Sequence, residues 1–377
     1  MSISKHSIIR HPCSLFNINI PLVSSNGMKK TIFTILQYTF FLGLGIFFVW
    51  LSVRNINHAQ WLQIKDSLQR ARHWLIIPVF VLLLLAHYSR ALRWKILMEP
   101  MGYRPSNFNT FAAVMIGYLV NAGVPRLGEV VKCTLLSRYE KVRADRLVGT
   151  IVMERAVDLV SLIIVFILAL IFQGHVIGDY VMTSFGNFFT DKTGHASVRK
   201  IIIAVIVIII FFTALSFLLK RFGHIDAVAK IKNVIKGVLH GLSSIRFIKH
   251  KGLFIFHSVL IWVLYLASTT IGIYALQETA PLGVGGGLTT LAVGSVGMVL
   301  TPGGIGAYPL LVAKLMSLYG LDEATIGNAL GWLLWSVQTI IIIAGGVIFI
   351  ALLSYHNKKQ KALETRQQYS KQNIDLT

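Results

Sequence analysis

Long apolar runs separated by short basic connections constrain this chain more than any other feature. The runs fall at roughly 31–53, 74–92, 108–124, 147–172, 200–219, 253–276, 287–301, 305–319 and 327–353. A run of this length spans the hydrocarbon core of a bilayer as a helix, because lipid offers no partner for unpaired backbone groups. The composition agrees. Of 377 residues, 55% are apolar and 14% are charged, against roughly 25% charged in an average soluble domain. A soluble domain could not hide this much apolar surface in one core. The same numbers exclude disorder. The expected class is an all-α polytopic membrane protein, without a separate soluble catalytic domain.

The charge pattern sets the expected topology. There are 36 Lys and Arg against 15 Asp and Glu, a formal net charge of +21. The cations sit in short connections, which reads as positive-inside topology and contact with anionic headgroups rather than as nucleic-acid binding. Lys29 and Lys30 place the start of the first span in the cytoplasm. The connection 93–107 is then inside. So is 126–146, with Arg126, Lys132, Arg138, Lys141, Arg143 and Arg146. One crossing cannot join two inside connections, so 108–135 enters and returns, as a re-entrant hairpin or as two short helices meeting near Asn121 to Glu129. The connections 277–286 and 320–326 carry no Lys or Arg and are expected outside, so 287–319 also enters and returns. The expected architecture is six full spans plus two broken hairpins entering from opposite sides, the pattern of an inverted repeat. A polar cavity is expected between the hairpins. The plain alternative is a set of ordinary helices kinked at Gly and Pro.

Residues 1–27 read as a polar extension, with Met28 a candidate start. Residues 28–353 read as the transmembrane domain. Within it, 220–251 is a basic, partly amphipathic segment suited to the cytoplasmic leaflet. Residues 354–377 read as a basic cytoplasmic tail, which puts both termini inside. The two cysteines, Cys13 and Cys133, form neither a disulfide framework nor a metal site. The scattered His residues define no metal cluster, and no nucleotide-binding motif is present, so no cofactor is expected.

Three polar elements carry chemistry. Around Asn121, the residues Gly123, Pro125 and Gly128 break an apolar helix beside Arg126 and Glu129, a workable phosphate site. Glu154, Arg155 and Asp158 lie inside the run 147–172. Ionisable groups at that depth cost about 2.5–3.5 kcal/mol each on insertion scales, so they must be paired or face water. Glu154 and Asp158 share a face, and Arg155 is placed to reach Asp158. In the third element, Thr301, Pro302, Gly303, Gly304 and Gly306 form a second break, with Pro309 in the first turn of the next helix and Lys314 beyond it. Residues 87–94, with Arg90, Arg93 and Trp94, read as an interfacial anchor.

These motifs together resemble the transmembrane region of lysylphosphatidylglycerol synthetase/flippase proteins and their stand-alone relatives. The resemblance rests on Arg90-Ala-Leu-Arg93-Trp94, on Asn121 to Glu129 with Arg138, on Glu154-Arg155 with Asp158, and on Thr301 to Gly306, and it covers most of 30–353. It implies a membrane domain that moves or handles lipids in the cell's inner membrane. The soluble synthetase domain of two-part members is absent, so aminoacyl transfer is not implied and the chain is not expected to be an enzyme. The expected partner is an anionic or aminoacylated phospholipid or a lipid-linked intermediate. Arg126, Arg155 and Lys314 would attract its phosphate, and Glu129, Glu154 and Asp158 would hold those cations or a cationic headgroup. The glycines and prolines at 123–128 and 302–306 would act as gates. A membrane-embedded transferase, or an accessory or scaffold subunit for lipid-linked precursors, is the alternative function.

Overall fold

The computed structural model describes residues 39, 43–54, 56–124, 126–189 and 248–374. All of these but Thr39 belong to one compact unit, Phe41–Thr377. The extension 1–27, the span 200–219, Pro125 and nearly all of the amphipathic segment lie outside the described residues, as do 31–38 and 40–42 of the first apolar run.

The described chain is all-α. Helix α1 (Gly43–Val53) is short and apolar. Helix α2 (His58–Gln69) starts at a reciprocal cap in which Asn57 accepts from the Gln60 amide and Gln60 accepts from the Asn57 amide. Such a pair satisfies two amides that a helix start otherwise leaves open. Helix α3 spans Ile76–Met98 and helix α4 spans Asn107–Gly123, capped by Ser106. Helix α5 (Leu127–Glu140) is bounded by two left-handed residues, Arg126 with φ 68° and Lys141 with φ 55°. Helix α6 (Ala144–Phe189) leaves helical geometry at Gln173. Helices α7 (Lys251–Ile273), α8 (Gly283–Leu300) and α9 (Ala307–Leu318) follow. A π turn over Glu323–Gly327, capped by the Asp322 side chain, leads into helix α10 (Asn328–Ile374).

Five stretches among the described residues are long and apolar enough to cross a membrane: His73–Met101, Arg146–Gly174, Lys251–Ile273, Ala280–Leu300 and Glu323–Gln360. This is a polytopic membrane protein, as the apolar runs predict. Its outer surface fits that solvent, with Ile77, Val81, Leu85, Ile163, Ile167 and Ile171 exposed.

Cross-helix contacts sort the connections into two ends. The Arg72 amide donates to the Ala275 carbonyl, joining the start of α3 to the end of α7. Ile64, Leu276 and Leu321 share a cluster there, and the Gln173 side chain accepts from the Tyr319 hydroxyl at 3.4 Å. At the other end, Met98, Val142, Ile248 and Phe254 pack together, and the Asn357 amide donates to Asn109. The connections around Arg104, Lys141 and Lys249 gather at this second, basic end, together with the part of the last helix that carries Lys358. Charge spacing alone assigns the same division.

Two helical hairpins are rooted at opposite ends. The α4–α5 hairpin has its root at the basic end, where Glu140 Oε1 accepts from the Ser106 amide and from Asn109. Its arms cross at two glycines, and a Cβ on Gly128 would lie 1.8 Å from the Gly117 carbonyl oxygen. The α8–α9 hairpin is rooted at the opposite end, and Gly297 abuts the Tyr308 backbone across its arms. The tips meet: a Cβ on Gly303 would lie 3.6 Å from Ala122 Cα.

Two features differ from the sequence reading. Ala280–Leu300, expected as half of a re-entrant element, is by itself long enough to span. The tail expected as a separate segment from 354 continues α10 to Ile374 without a break. Residues 354–374 contain no Gly or Pro and are rich in Lys and Gln, which keep a helix going.

Candidate functional site

The site begins with helical spacing. Arg90 and Arg93 stand three apart on α3, and Glu154 and Asp158 stand four apart on α6. Each pair therefore shares a face. The two faces meet. Arg90 Nη1 lies 2.5 Å from Asp158 Oδ2 and 3.4 Å from Glu154 Oε1. Arg93 Nη2 lies 2.6 Å from Asp158 Oδ1 and 3.8 Å from Glu154 Oε1. From α5, Lys132 Nζ reaches Glu154 Oε2 at 2.8 Å. Three helices are thus joined by five charged side chains. The Arg93 side chain is fully buried and that of Glu154 is 3% exposed.

Aromatic groups close the cluster. Lys132 Nζ sits 4.5 Å from the centroid of the Trp94 ring, whose Nε1 donates to Thr150 Oγ1 at 2.8 Å. Arg90 Nη2 donates to the Tyr265 hydroxyl at 3.5 Å. The His87 ring packs 5.0 Å from that of Tyr118. Several donors remain without a hydrogen-bond partner: Arg90 Nε, Arg93 Nε and Arg93 Nη1. Buried polar atoms are normally satisfied, so three unpartnered guanidinium nitrogens in one cluster mark it out.

Beside the buried cluster lies a more exposed pair. Arg155 Nη2 is 2.6 Å from Glu129 Oε1, and Arg155 Nε donates to the same oxygen at 2.9 Å. This corrects the sequence expectation that Arg155 reaches Asp158. Neighbours on a helix turn lose here to the facing helix, because α3 presents two guanidiniums directly to Asp158. The anchor reading of 87–94 is corrected too. Arg93 and Trp94 are fully buried and point into the bundle instead of toward headgroups.

Of the other residues singled out, Asn121 accepts from the Gly128 amide through Oδ1 at 2.8 Å and so ties the hairpin arms. Arg126 is exposed at the hairpin tip and makes no ion pair among the described residues. Lys314 is exposed on α9 and likewise has none. Arg126 and Lys314 therefore stand outside the charged cluster. A Cβ on Gly123 would meet nothing within 4 Å, whereas Gly128 is held in close contact. Pro125 lies outside the described residues. In the second break, Gly303, Gly304 and Gly306 take φ of 59°, 73° and 69°. Thr301 Oγ1 donates to the Ile305 carbonyl, and Trp335 Nε1 donates to the Gly303 carbonyl at 2.8 Å. Pro302 opens the single turn between them.

Sequence reasoning placed Arg90 and Arg93 in a motif but not in this chemistry, and it read Lys132 only as a loop cation. The available signal was the match of two cations in one span with two acids in another, which lipid would force together. Among the described residues, no group of three or more His, Cys, Asp or Glu side chains could hold a metal.

A polytopic helical membrane protein with opposed hairpins and a buried ion cluster between spans is the class these features define. The chain belongs to the lysylphosphatidylglycerol synthase TM region family, which matches residues 35–346. It is also similar to a UPF0104 membrane protein of Methanocaldococcus jannaschii, 29% identical over 113 residues. That match covers 29% of this chain and 32% of the relative, less than two thirds of its length. No solved structure matches.

Proposed function

We propose that this protein handles membrane lipids as a flippase-like transporter: it brings a phosphate-bearing headgroup to the Arg90, Arg93, Lys132, Glu154 and Asp158 cluster and carries it between leaflets. The observation behind this reading is the cluster itself. Four charged side chains from two candidate spans meet Lys132 of α5 inside the bundle. Intramembrane ionisable groups are costly to insert and mark pathways more often than they aid stability. The opposed hairpins supply the moving parts, since two tips in contact can part to either side. The family implies the same class of work, and the substrates of its two-part members belong to those proteins.

In this reading the basic end faces the cytoplasm, both termini are cytoplasmic, the membrane is the inner one, and the chain is a transporter and not an enzyme. Its partners are phospholipids or lipid-linked intermediates of the surrounding bilayer. Arg155 and Glu129 sit between that cluster and the hairpin tip, where a headgroup would pass. The test is headgroup-labelled lipid movement in proteoliposomes, comparing the natural chain with Arg93→Gln and Asp158→Asn. The expected result is acceleration over protein-free vesicles that both substitutions abolish. Equal lipid movement with and without folded protein would overturn the reading.

A further inference from the structure

The cluster is not electrically balanced. Arg90, Arg93 and Lys132 bring three positive charges, and Glu154 and Asp158 bring two negative ones, so the five side chains carry one net positive charge. Both acids are already engaged. Asp158 gives one oxygen to Arg90 and the other to Arg93. Glu154 gives Oε2 to Lys132 and turns Oε1 toward both guanidiniums. Every carboxylate oxygen of the cluster thus already faces a cation, and an incoming ammonium group would compete with these cations at a site that is net positive. On the cationic side the opposite holds: Arg93, fully buried, has Nε and Nη1 without a partner, and Arg90 Nε is unpartnered as well.

An isolated buried charge is costly in a medium of low dielectric, and the cost falls when one opposite charge arrives with matching acceptors. A phosphodiester provides one negative charge and two oxygens that accept from a guanidinium fork. A pyrophosphate or a phosphomonoester brings more negative charge than the cluster lacks. An aminoacylated headgroup brings an ammonium that this cluster can only repel.

Resting on the transport reading above, we propose that the ligand of this site is a monoanionic phosphodiester lipid whose headgroup carries no further charge. The aminoacylated lipid for which the family is named is then excluded from this chain's site. The ligand's phosphate would answer the unpartnered nitrogens of Arg93 and Arg90, which packing covers here and which it reaches when the surrounding helices part. The rule is arithmetic: removing one acid should shift preference toward a dianion, and removing one cation should remove the preference for anions.

The experiment is retention of lipid by the full chain, purified from mixed vesicles and weighed by native mass spectrometry. The vesicles contain equal parts phosphatidylglycerol, phosphatidylethanolamine, lysylphosphatidylglycerol and a polyprenyl pyrophosphate. The natural chain should retain phosphatidylglycerol over lysylphosphatidylglycerol by about tenfold or more, since a like charge is repelled where the site already carries a net positive charge. Asp158→Asn should raise the share of the pyrophosphate lipid, and Lys132→Gln should flatten the preference. Arg93→Lys keeps the charge but removes the fork, and should weaken phosphatidylglycerol retention while leaving the order of preference. Equal retention of lysylphosphatidylglycerol and phosphatidylglycerol by folded natural chain would overturn the charge rule and leave lipid handling standing. Retention of no lipid by folded chain, together with no lipid movement, would overturn the transport reading and this proposal with it.

Discussion

Lys132 on α5 and Glu154 on α6 form a buried ion pair of 2.8 Å, and Lys132 also lies over the Trp94 ring of α3. One ammonium thus fixes the second arm of the α4–α5 hairpin against two spans. Arg155 and Glu129 repeat the α5–α6 link at a more exposed position. Hairpin placement and the charged site therefore depend on the same side chains.

Removing one partner should be worse than removing both. Glu154→Gln leaves Lys132 buried with no full counter-charge, and an unpaired buried charge costs about 3–5 kcal/mol. The pair Glu154→Gln with Lys132→Gln should recover a large part of that loss. Thermal unfolding of the single and double variants in nanodiscs gives the coupling. Additive losses would show that the pair does not act as a unit.

Gly128 and Gly123 should respond oppositely to alanine. A Cβ at 128 meets the Gly117 carbonyl oxygen at 1.8 Å and Asn121 at 2.7 Å, so Gly128→Ala should force the hairpin arms apart. Loss of folded yield or a markedly lower Tm is expected. A Cβ at 123 meets nothing within 4 Å, so Gly123→Ala should change stability by no more than about 1 kcal/mol, in the favourable direction. The monodisperse fraction on size exclusion, followed with heating, measures both.

A covalent link between the hairpin tips should stop lipid movement reversibly. A Cβ on Gly303 would lie 3.7 Å from Ala122 Cβ, inside the Cβ separation of disulfides, roughly 3.5–4.5 Å. The double variant Ala122→Cys and Gly303→Cys should cross-link on mild oxidation, at some cost in stability because residue 303 holds φ 59°. Scrambling in proteoliposomes should cease on oxidation and return on reduction. Undiminished scrambling in fully cross-linked protein would show that the tips need not separate.

Arg126 holds a left-handed conformation, φ 68°, that costs a side-chain-bearing residue roughly 1–2 kcal/mol. Arg126→Gly should stabilise the fold by about that amount, because glycine adopts this region freely. If lipid movement falls while Tm rises, the exposed guanidinium contributes to transport. If movement is unchanged, Arg126 serves only the turn.

Much of the architecture is legible in the chain itself. Apolar runs mark the spans because lipid tolerates little else. The breaks at 123–128 and 301–306 can be read from their glycines and prolines, though the packing role of Gly117 cannot. The opposed hairpins follow from which connections carry cations. The pairing of charges cannot be read this way. Arg155 stands three residues from Asp158 and yet meets Glu129, because the partner is chosen by the helix that faces it.

The sequence by itself determined a helical, multi-pass membrane protein with two broken elements, since hydropathy and the placement of Gly, Pro and cations act locally or over a single span. Only the tertiary structure decided that Arg90, Arg93 and Lys132 join Glu154 and Asp158. It also decided that Lys314 and Arg126 stand apart and that the tips touch at Ala122 and Gly303. Contacts between residues on different helices depend on how those helices are rotated and packed, and the close crossing at Gly117 and Gly128 fixes that rotation for α5.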